Sequence, residues 1–230
     1  MSAPSATRRS VQVRVSGAVL EADVGMPCTP NGAVLFAHGS GSGRRSPRNR
    51  YVADQLNSAG LVTVLADLLT QEEEQHDLRT ATLRFDIGLL AARVTGVADW
   101  MVHSELVTSP QIGIFGASTG AAAALICAAT RPSTVRAVVC RGGRPDLAGA
   151  HLPVVRQPTL LIVGERDPVV VELNRRAARK LAGEARLEIV PGATHLFEEP
   201  GALEMVAGLA GSWFRRYLQP VPADDGRHRD

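Results

Sequence analysis

What this 230-residue chain has little of narrows the options first. Its three cysteines, Cys28, Cys127 and Cys140, are odd in number and far apart. No two have metal-ligand spacing and two lie in apolar segments, so reduced thiols in a cytoplasmic protein are expected, with no metal site. The first ten residues are polar, with Arg8 and Arg9, and no apolar segment of the signal-peptide kind follows. No run of about eighteen apolar residues occurs, so no membrane-spanning helix is expected. The formal net charge of +2 is too small to call for a nucleic-acid or membrane partner. The arginine-rich stretch 44–50 has no interleaved aromatic residue beyond the adjacent Tyr51, which also argues against nucleic acid. No internal repeat or second domain boundary is visible.

What is present is an ordinary apolar content of 45% and a regular alternation of strand and helix signals. Residues 11–15 and 18–24 alternate as an antiparallel edge hairpin around a turn at Ser16-Gly17. Buried strands are expected at 33–37, 61–66, 111–115 and 135–140, with a further strand at 159–163 and an alternating last strand at 186–190. Amphipathic helices fall between them: one from Ser46-Pro47 to about Gly60, one long helix over 80–104, one to about Thr130, then 170–181 and 202–218. Residues 67–77 read as a polar loop, and 148–157 as a segment with a short helical turn. The pattern predicts a doubly wound, mostly parallel α/β domain over 10–219, with a disordered leader at 1–9 and a flexible tail at 220–230.

The chemistry gathers around residues 112–120, I-G-I-F-G-A-S-T-G. A strand, a G-x-S-x-G turn and an alanine-rich helix would expose Ser118 at the sheet's carboxyl edge, at a helix N-terminus. A serine needs a base and the base needs a carboxylate to orient it. His195 follows the last strand and Asp167 the one before, so Ser118, Asp167 and His195 would meet on one rim. Asp167, lying before Pro168, also reads as a helix N-cap, and Asp146, Glu165 and Asp77 are weaker candidates for the acid. An oxyanion needs two donors: the backbone N–H of Thr119, and that of Ser40, with Gly41 as a near alternative, in the loop His38-Gly39-Ser40-Gly41-Ser42-Gly43. His38 is expected to shape that loop. Arg44 and Arg144, together with Gly41, are candidate substrate contacts, and Arg45, Arg48 and Arg141 share their rim; simple solvation, or pairing with Glu72–Glu74, is the competing expectation for these charges.

H-G-S-G-S-G at His38, G-A-S-T-G at Gly116, G-E-R-D-P at Gly164 and G-A-T-H at Gly192 together resemble the α/β-hydrolase superfamily, in particular serine-type small hydrolases related to dienelactone hydrolase. The resemblance spans nearly all of 11–218 and matches the family's order of serine, acid and histidine. It implies an eight-stranded sheet with an antiparallel second strand, and cofactor-free hydrolysis of ester-like bonds. Dienelactone hydrolases proper use cysteine where this chain has Ser118, which favours a carboxylesterase over the alternatives: lactone or thioester hydrolysis, perhydrolysis or acyl transfer by the same three residues, or a non-catalytic binding module. Larger relatives carry a cap after the strand matching 135–140; only 141–158 is available here, broken by three prolines, so no large cap and an open site are expected. The implied partner is a small soluble ester, bound by a monomer or homodimer.

Overall fold

The computed structural model of the protein describes residues 7–15, 17–107 and 111–218. The chain opens with the antiparallel hairpin β1 (Thr7–Val15) and β2 (Ala18–Met26), Val11 facing Ala22 and Val15 facing Ala18. Six further strands follow: β3 (Ala33–Ala37), β4 (Val62–Ala66), β5 (Ile112–Ala117), β6 (Val135–Arg141), β7 (Thr159–Gly164) and β8 (Ala185–Val190). They form one sheet in the order β1-β2-β4-β3-β5-β6-β7-β8. The strand β2 runs antiparallel to β4, and every pairing from β4 through β8 is parallel. This is the eight-stranded, mostly parallel sheet that the motifs imply.

Buried strands need cover on both faces. On one face, α1 (Pro47–Ser58) and α6 (Ala202–Tyr217) pack with Phe36, Phe115, Val139 and Ile162. On the other, α3 (Ile87–His103) and α4 (Thr119–Thr130) pack with Leu35, Val64, Ile114 and Val138. The helix α5 (Pro168–Ala178) closes the same side near β7, where Val170 and Val171 meet Val163. The segment after β6 is a 3-10 stretch, Pro145–Val154, bearing on α4 and α5, so no cap domain is built there.

Three expectations are corrected. First, β1 begins at Thr7, so residues 7–9 belong to the sheet and not to a leader; Arg9 lies opposite Val24, and Ser10 Oγ donates to Asp23 Oδ1 at 2.7 Å. The rest of the leader, Ser16 of the hairpin turn and the tail at 220–230 lie outside the described residues. Second, the polar loop at 67–77 contains a helix, α2 (Gln71–Thr80). Its start is a capping box: Thr70 Oγ1 accepts the Glu73 N–H at 3.2 Å while the Glu73 carboxylate accepts the Thr70 N–H at 2.8 Å. The run Glu72-Glu73-Glu74 fills the first turn, where the helix dipole favours negative charge. Third, the long helix starts at Ile87 and not near Thr80. Ala81 ends α2 in the left-handed conformation (φ 53°), a 3-10 turn at Leu83–Phe85 follows, and Asp86 caps α3 by accepting the Leu89 N–H at 2.9 Å.

The corner between α2 and α3 is held by one buried carboxylate. Asp77 accepts the N–H groups of Leu83 at 2.7 Å and Arg84 at 3.1 Å, and Arg84 Nε donates to its other oxygen at 2.6 Å. Burial pushes this carboxyl up, but the bonds from Arg84 and Leu83 more than offset that and leave it below its ordinary value. Removing these acceptors leaves donors unpaired, at a cost of about 2 kcal/mol. Asp77→Ala should therefore speed amide exchange across residues 71–86 by roughly 30-fold, with much smaller changes in β5 and α4. Hydrogen-exchange mass spectrometry makes the check; uniform acceleration over the whole chain would contradict a local hinge-pin role.

Candidate active site

The turn between β5 and α4 carries one residue, Ser118, with φ 50° and ψ −122°. An L-residue is strained there by about 1–3 kcal/mol and persists only where the surroundings dictate it. They do so by crowding. A Cβ built on Gly120 would overlap the carbonyl oxygen of Ala37 at the end of β3. One on Gly116 would lie 2.6 Å from Ala121 Cα, and one on Gly39 would lie 2.6 Å from Ser118 Cβ. The Ser118 N–H donates to the Arg141 carbonyl at 3.3 Å, and its own carbonyl accepts the Arg144 N–H at 3.0 Å. Four segments thus converge on this single residue.

The loops after β7 and β8 are joined by backbone bonds, Arg166 N–H to Ala193 O at 2.9 Å and Glu165 N–H to Val190 O at 3.0 Å. That lacing brings Asp167 to His195: Nδ1 of the imidazole donates to Asp167 Oδ2 at 2.7 Å. The other carboxylate oxygen accepts the Val170 N–H at 3.4 Å and caps α5. The two readings of Asp167 are therefore both met, one by each oxygen. With Nδ1 bonded to the carboxylate, Nε2 is the nitrogen left to accept a proton. The imidazole rests on Gly142, where a Cβ would lie 3.4 Å from His195 Cε1. Gly142 is the residue after Arg141, the partner of the Ser118 N–H. Among the described residues, no hydrogen bond links Ser118 Oγ to His195, whose bonded side-chain partner is Asp167. Asp146 pairs with Arg144, Glu165 accepts the Gly192 N–H and Asp77 holds Arg84, so each alternative acid is engaged elsewhere.

Thr119 is the first residue of α4, and its N–H meets no acceptor among the described residues; the same holds for the N–H groups of Ser40 and Gly41. The loop that carries the latter two touches Ser118 through Gly39. It is pinned by His38, whose Nε2 accepts the Leu68 N–H at 3.0 Å while Nδ1 donates to the Gly39 carbonyl at 3.0 Å. Beside it lies a cleft of about 110 Å³ lined by Gly39, Ser40, Gly41, Leu69, Leu78 and Leu90, among others. The cleft adjoins the loop and is not lined by Ser118 itself. Its outer wall is α2, the helix that the sequence pattern did not reveal.

The rim arginines differ sharply. Arg44 meets Asp67 through both backbone and side chain, and its guanidinium also lies 3.6 Å from Asp23 and 3.8 Å from Glu21. Arg144 forms a two-pronged pair with Asp146 at 2.8 and 2.9 Å. Neither reaches the Ser118 turn as a free charge, and their carboxylates are not those of Glu72–Glu74. Arg141 is buried and, among the described residues, has no carboxylate partner; burial, with repulsion from Arg48, lowers its guanidinium to about 10, so it stays charged at neutral pH. No sequence signal separated Arg141 from its neighbours. Burial pushes the thiols of Cys127 and Cys140 up to about 11 and about 12, which leaves neither as a ready nucleophile. Among the described residues, no cluster of His, Cys, Asp and Glu could hold a metal ion, and no helix is long and apolar enough to cross a membrane.

Comparison with known proteins agrees with this fold. Residues 30–205 match the family described as "Alpha/beta hydrolase domain". The crystal structure of a dienelactone hydrolase from Anabaena variabilis superposes with a TM-score of 0.92 at 56% identity, covering 94% of this chain and all of that one. Est1E from Butyrivibrio proteoclasticus has the same fold at 16% identity, with a TM-score of 0.76 over 90% of this chain and 98% of that one. Two Mycobacterium tuberculosis proteins, named as candidate phosphoribosyl transferases, are 53% identical over 94% of this chain, which spans 48% of their length.

Enclosure lowers the His38 pKa below its usual 6.5, against weaker opposing effects of Gly39, Asp67 and Glu74. Between the lowered value and 6.5 the unfolded chain binds more proton than the folded one, so His38 contributes stability above about pH 6.5 that is lost as the pH falls through this window. Urea midpoints measured from pH 7.5 to 5 should fall more steeply for the parent than for His38→Gln; parallel slopes would show that this imidazole is not held neutral.

Proposed function

The chain belongs to the α/β-hydrolase family, and on that premise we propose that it is a serine hydrolase cleaving small esters through an acyl-enzyme on Ser118. His195 Nε2 takes the hydroxyl proton as Ser118 Oγ attacks the ester carbonyl. Asp167 keeps the imidazole in the required tautomer and stabilises the imidazolium. The N–H groups of Thr119 and Ser40 stabilise the tetrahedral oxyanion, and Gly41 borders the substrate. His195 returns its proton to the leaving alcohol. Water, deprotonated by the same imidazole, then attacks the acyl carbonyl, and Ser118 leaves with the proton restored. Every proton is accounted for by these side chains and water.

The observation that carries this reading is the 2.7 Å bond between His195 and Asp167, on loops laced together beside a serine in a strained strand-to-helix turn. A lactone is an internal ester, so the similarity to the Anabaena variabilis protein makes lactones a natural part of the substrate panel. The transferase name belongs to mycobacterial proteins about half of whose length this chain spans, and nothing at Ser118 calls for it.

Ser118→Ala should lower turnover of an activated short-chain ester by about a million-fold, and Asp167→Asn by about ten-thousand-fold. A fluorophosphonate probe should label the parent at Ser118 alone, located by peptide mass spectrometry. Labelling elsewhere, or an alanine variant as fast as the parent, would refute the assignment.

A further inference from the structure

Two of the buried asparagines share one bonding pattern, an amide nitrogen that joins two backbone carbonyls. Asn57 in α1 gives Nδ2 to the Gly25 carbonyl at 3.1 Å and to the Leu61 carbonyl at 2.8 Å. Leu61 precedes β4, so this tie lies at the amino end of the parallel strands, away from the rim that carries Ser118. Asn174 in α5 gives Nδ2 to the Gly143 carbonyl at 3.0 Å and to the Val170 carbonyl at 2.8 Å. Its side chain is fully buried, and its Oδ1 is enclosed without a donor. Asparagine is a weak helix former, and a half-satisfied buried amide costs the fold more than an apolar side chain of that size. The contribution of Asn174 lies in what its nitrogen ties together.

Both ends of that tie lead to reacting groups. Gly143 belongs to the turn 141–144, which holds the backbone of Ser118 from both sides: the Arg141 carbonyl accepts the Ser118 N–H at 3.3 Å, and the Arg144 N–H donates to the Ser118 carbonyl at 3.0 Å. Gly143 also lies against α4, where a Cβ would come within 2.6 Å of Ala121 Cβ. Val170 leads the other way. Its N–H donates to Asp167 Oδ1 at 3.4 Å, and Asp167 Oδ2 accepts from His195 Nδ1 at 2.7 Å. The path therefore runs from Ser118 through the turn, Asn174, Val170 and Asp167 to His195, and its two ends are the hydroxyl-bearing residue and the imidazole. The Gly142 N–H bonds the Ile162 carbonyl of β7 at 2.8 Å. Past that point, among the described residues, Asn174 is the side chain that fastens the turn to α5 by a hydrogen bond.

We propose that Asn174 is a positioning residue: by tying Gly143 to Val170 it sets how far Ser118 stands from His195. The proposal rests on the serine-hydrolase reading above and adds a residue that no motif marks. Asn174 acts through its neighbours and does not touch the substrate. Misplacing reacting groups by about 1 Å costs roughly 100-fold in rate. Acylation and deacylation share one imidazole, so a loosened turn slows both and leaves KM little changed. The bond between His195 and Asp167 does not pass through Asn174, so the pH dependence of the reaction stays as it is.

The test uses the full chain, 4-nitrophenyl acetate, and a temperature at which every variant is folded. Asn57→Leu is the internal control, since it removes the same kind of tie away from the rim. It should lower the urea midpoint while kcat and the rate of fluorophosphonate labelling at Ser118 stay within about twofold of the parent. Asn174→Leu and Asn174→Ser should lower the midpoint too, and should in addition reduce kcat and the labelling rate by roughly 100-fold, with KM within about threefold and the pH profile of kcat/KM unmoved. The serine hydroxyl reaches back one turn to the Val170 carbonyl but not to Gly143, so that variant cuts only the tie; it decides the matter if Asn174→Leu does not fold. Rates in the Asn174 variants equal to those of Asn57→Leu would leave Asn174 a structural role alone and overturn the proposal. A rate loss accompanied by a shifted pH profile would also overturn it, because the defect would then lie in the pairing of His195 with Asp167. A parent that neither hydrolyses the ester nor takes the label would sink the serine-hydrolase reading itself, and the positioning role with it.

Discussion

The backbone of Ser118 is the constraint on which the rest of the structure depends. A residue at φ 50° and ψ −122° cannot hold itself there; neighbouring elements must leave no alternative. The strand β3 and its loop press on the turn from one side, at Gly120 and Gly39, and α4 from the other, at Gly116. The requirement for small residues explains the composition of α4, whose first six residues are Thr119, Gly120 and four alanines. A helix so poor in bulk contributes little apolar area per residue. It compensates by lying close to the parallel strands, where Val138 and Ile114 join the same core. The strain and the close packing are two consequences of one demand, that a hydroxyl stand above the sheet at the positive end of a helix.

That demand also orders the loops. Parallel strands deliver their carboxyl ends to one rim, so Asp167 and His195 arrive beside each other because β7 and β8 are neighbours. The lacing of Arg166 to Ala193 sets their separation more rigidly than any side-chain contact could. Asp167 is divided between two tasks, one oxygen starting α5 and the other orienting the imidazole. A carboxylate already fixed by a helix N-terminus loses less freedom when it also binds a histidine, so the cap assists the orienting role instead of competing with it.

Much of this was legible in the residues. The strand β3 is a continuous apolar run and forms over the residues that the pattern marks, and the long amphipathic helices show in their 3.6-residue period. The candidate triad lay in the order and spacing of its motifs. The helix α2 was hidden because its periodicity is nearly absent: Asp77 is its sole buried residue, and a helix polar on all sides gives no stripe to detect. Its signature was local, Thr70 and Glu73 at capping-box spacing followed by acids, and the acids themselves made the segment look like a loop. The early start of β1 was masked in the same way, since residues 7–10 are exposed and polar yet are paired by their backbone and by Ser10 and Asp23.

The arginines mark the limit of such reading. Five of them, Arg44, Arg45, Arg48, Arg141 and Arg144, stand near the site in the sequence, and nothing in their local context ranks them. Their difference is long-range. Asp67 lies 23 residues from Arg44, whereas the residue under the Arg141 guanidinium is Phe197, 56 positions on. Neutralised charges fix loops, while a charge that folding buries without a partner is a cost the fold must carry elsewhere. In this protein that uncompensated charge sits on the strand whose last carbonyl holds the Ser118 N–H and whose next residue supports the imidazole.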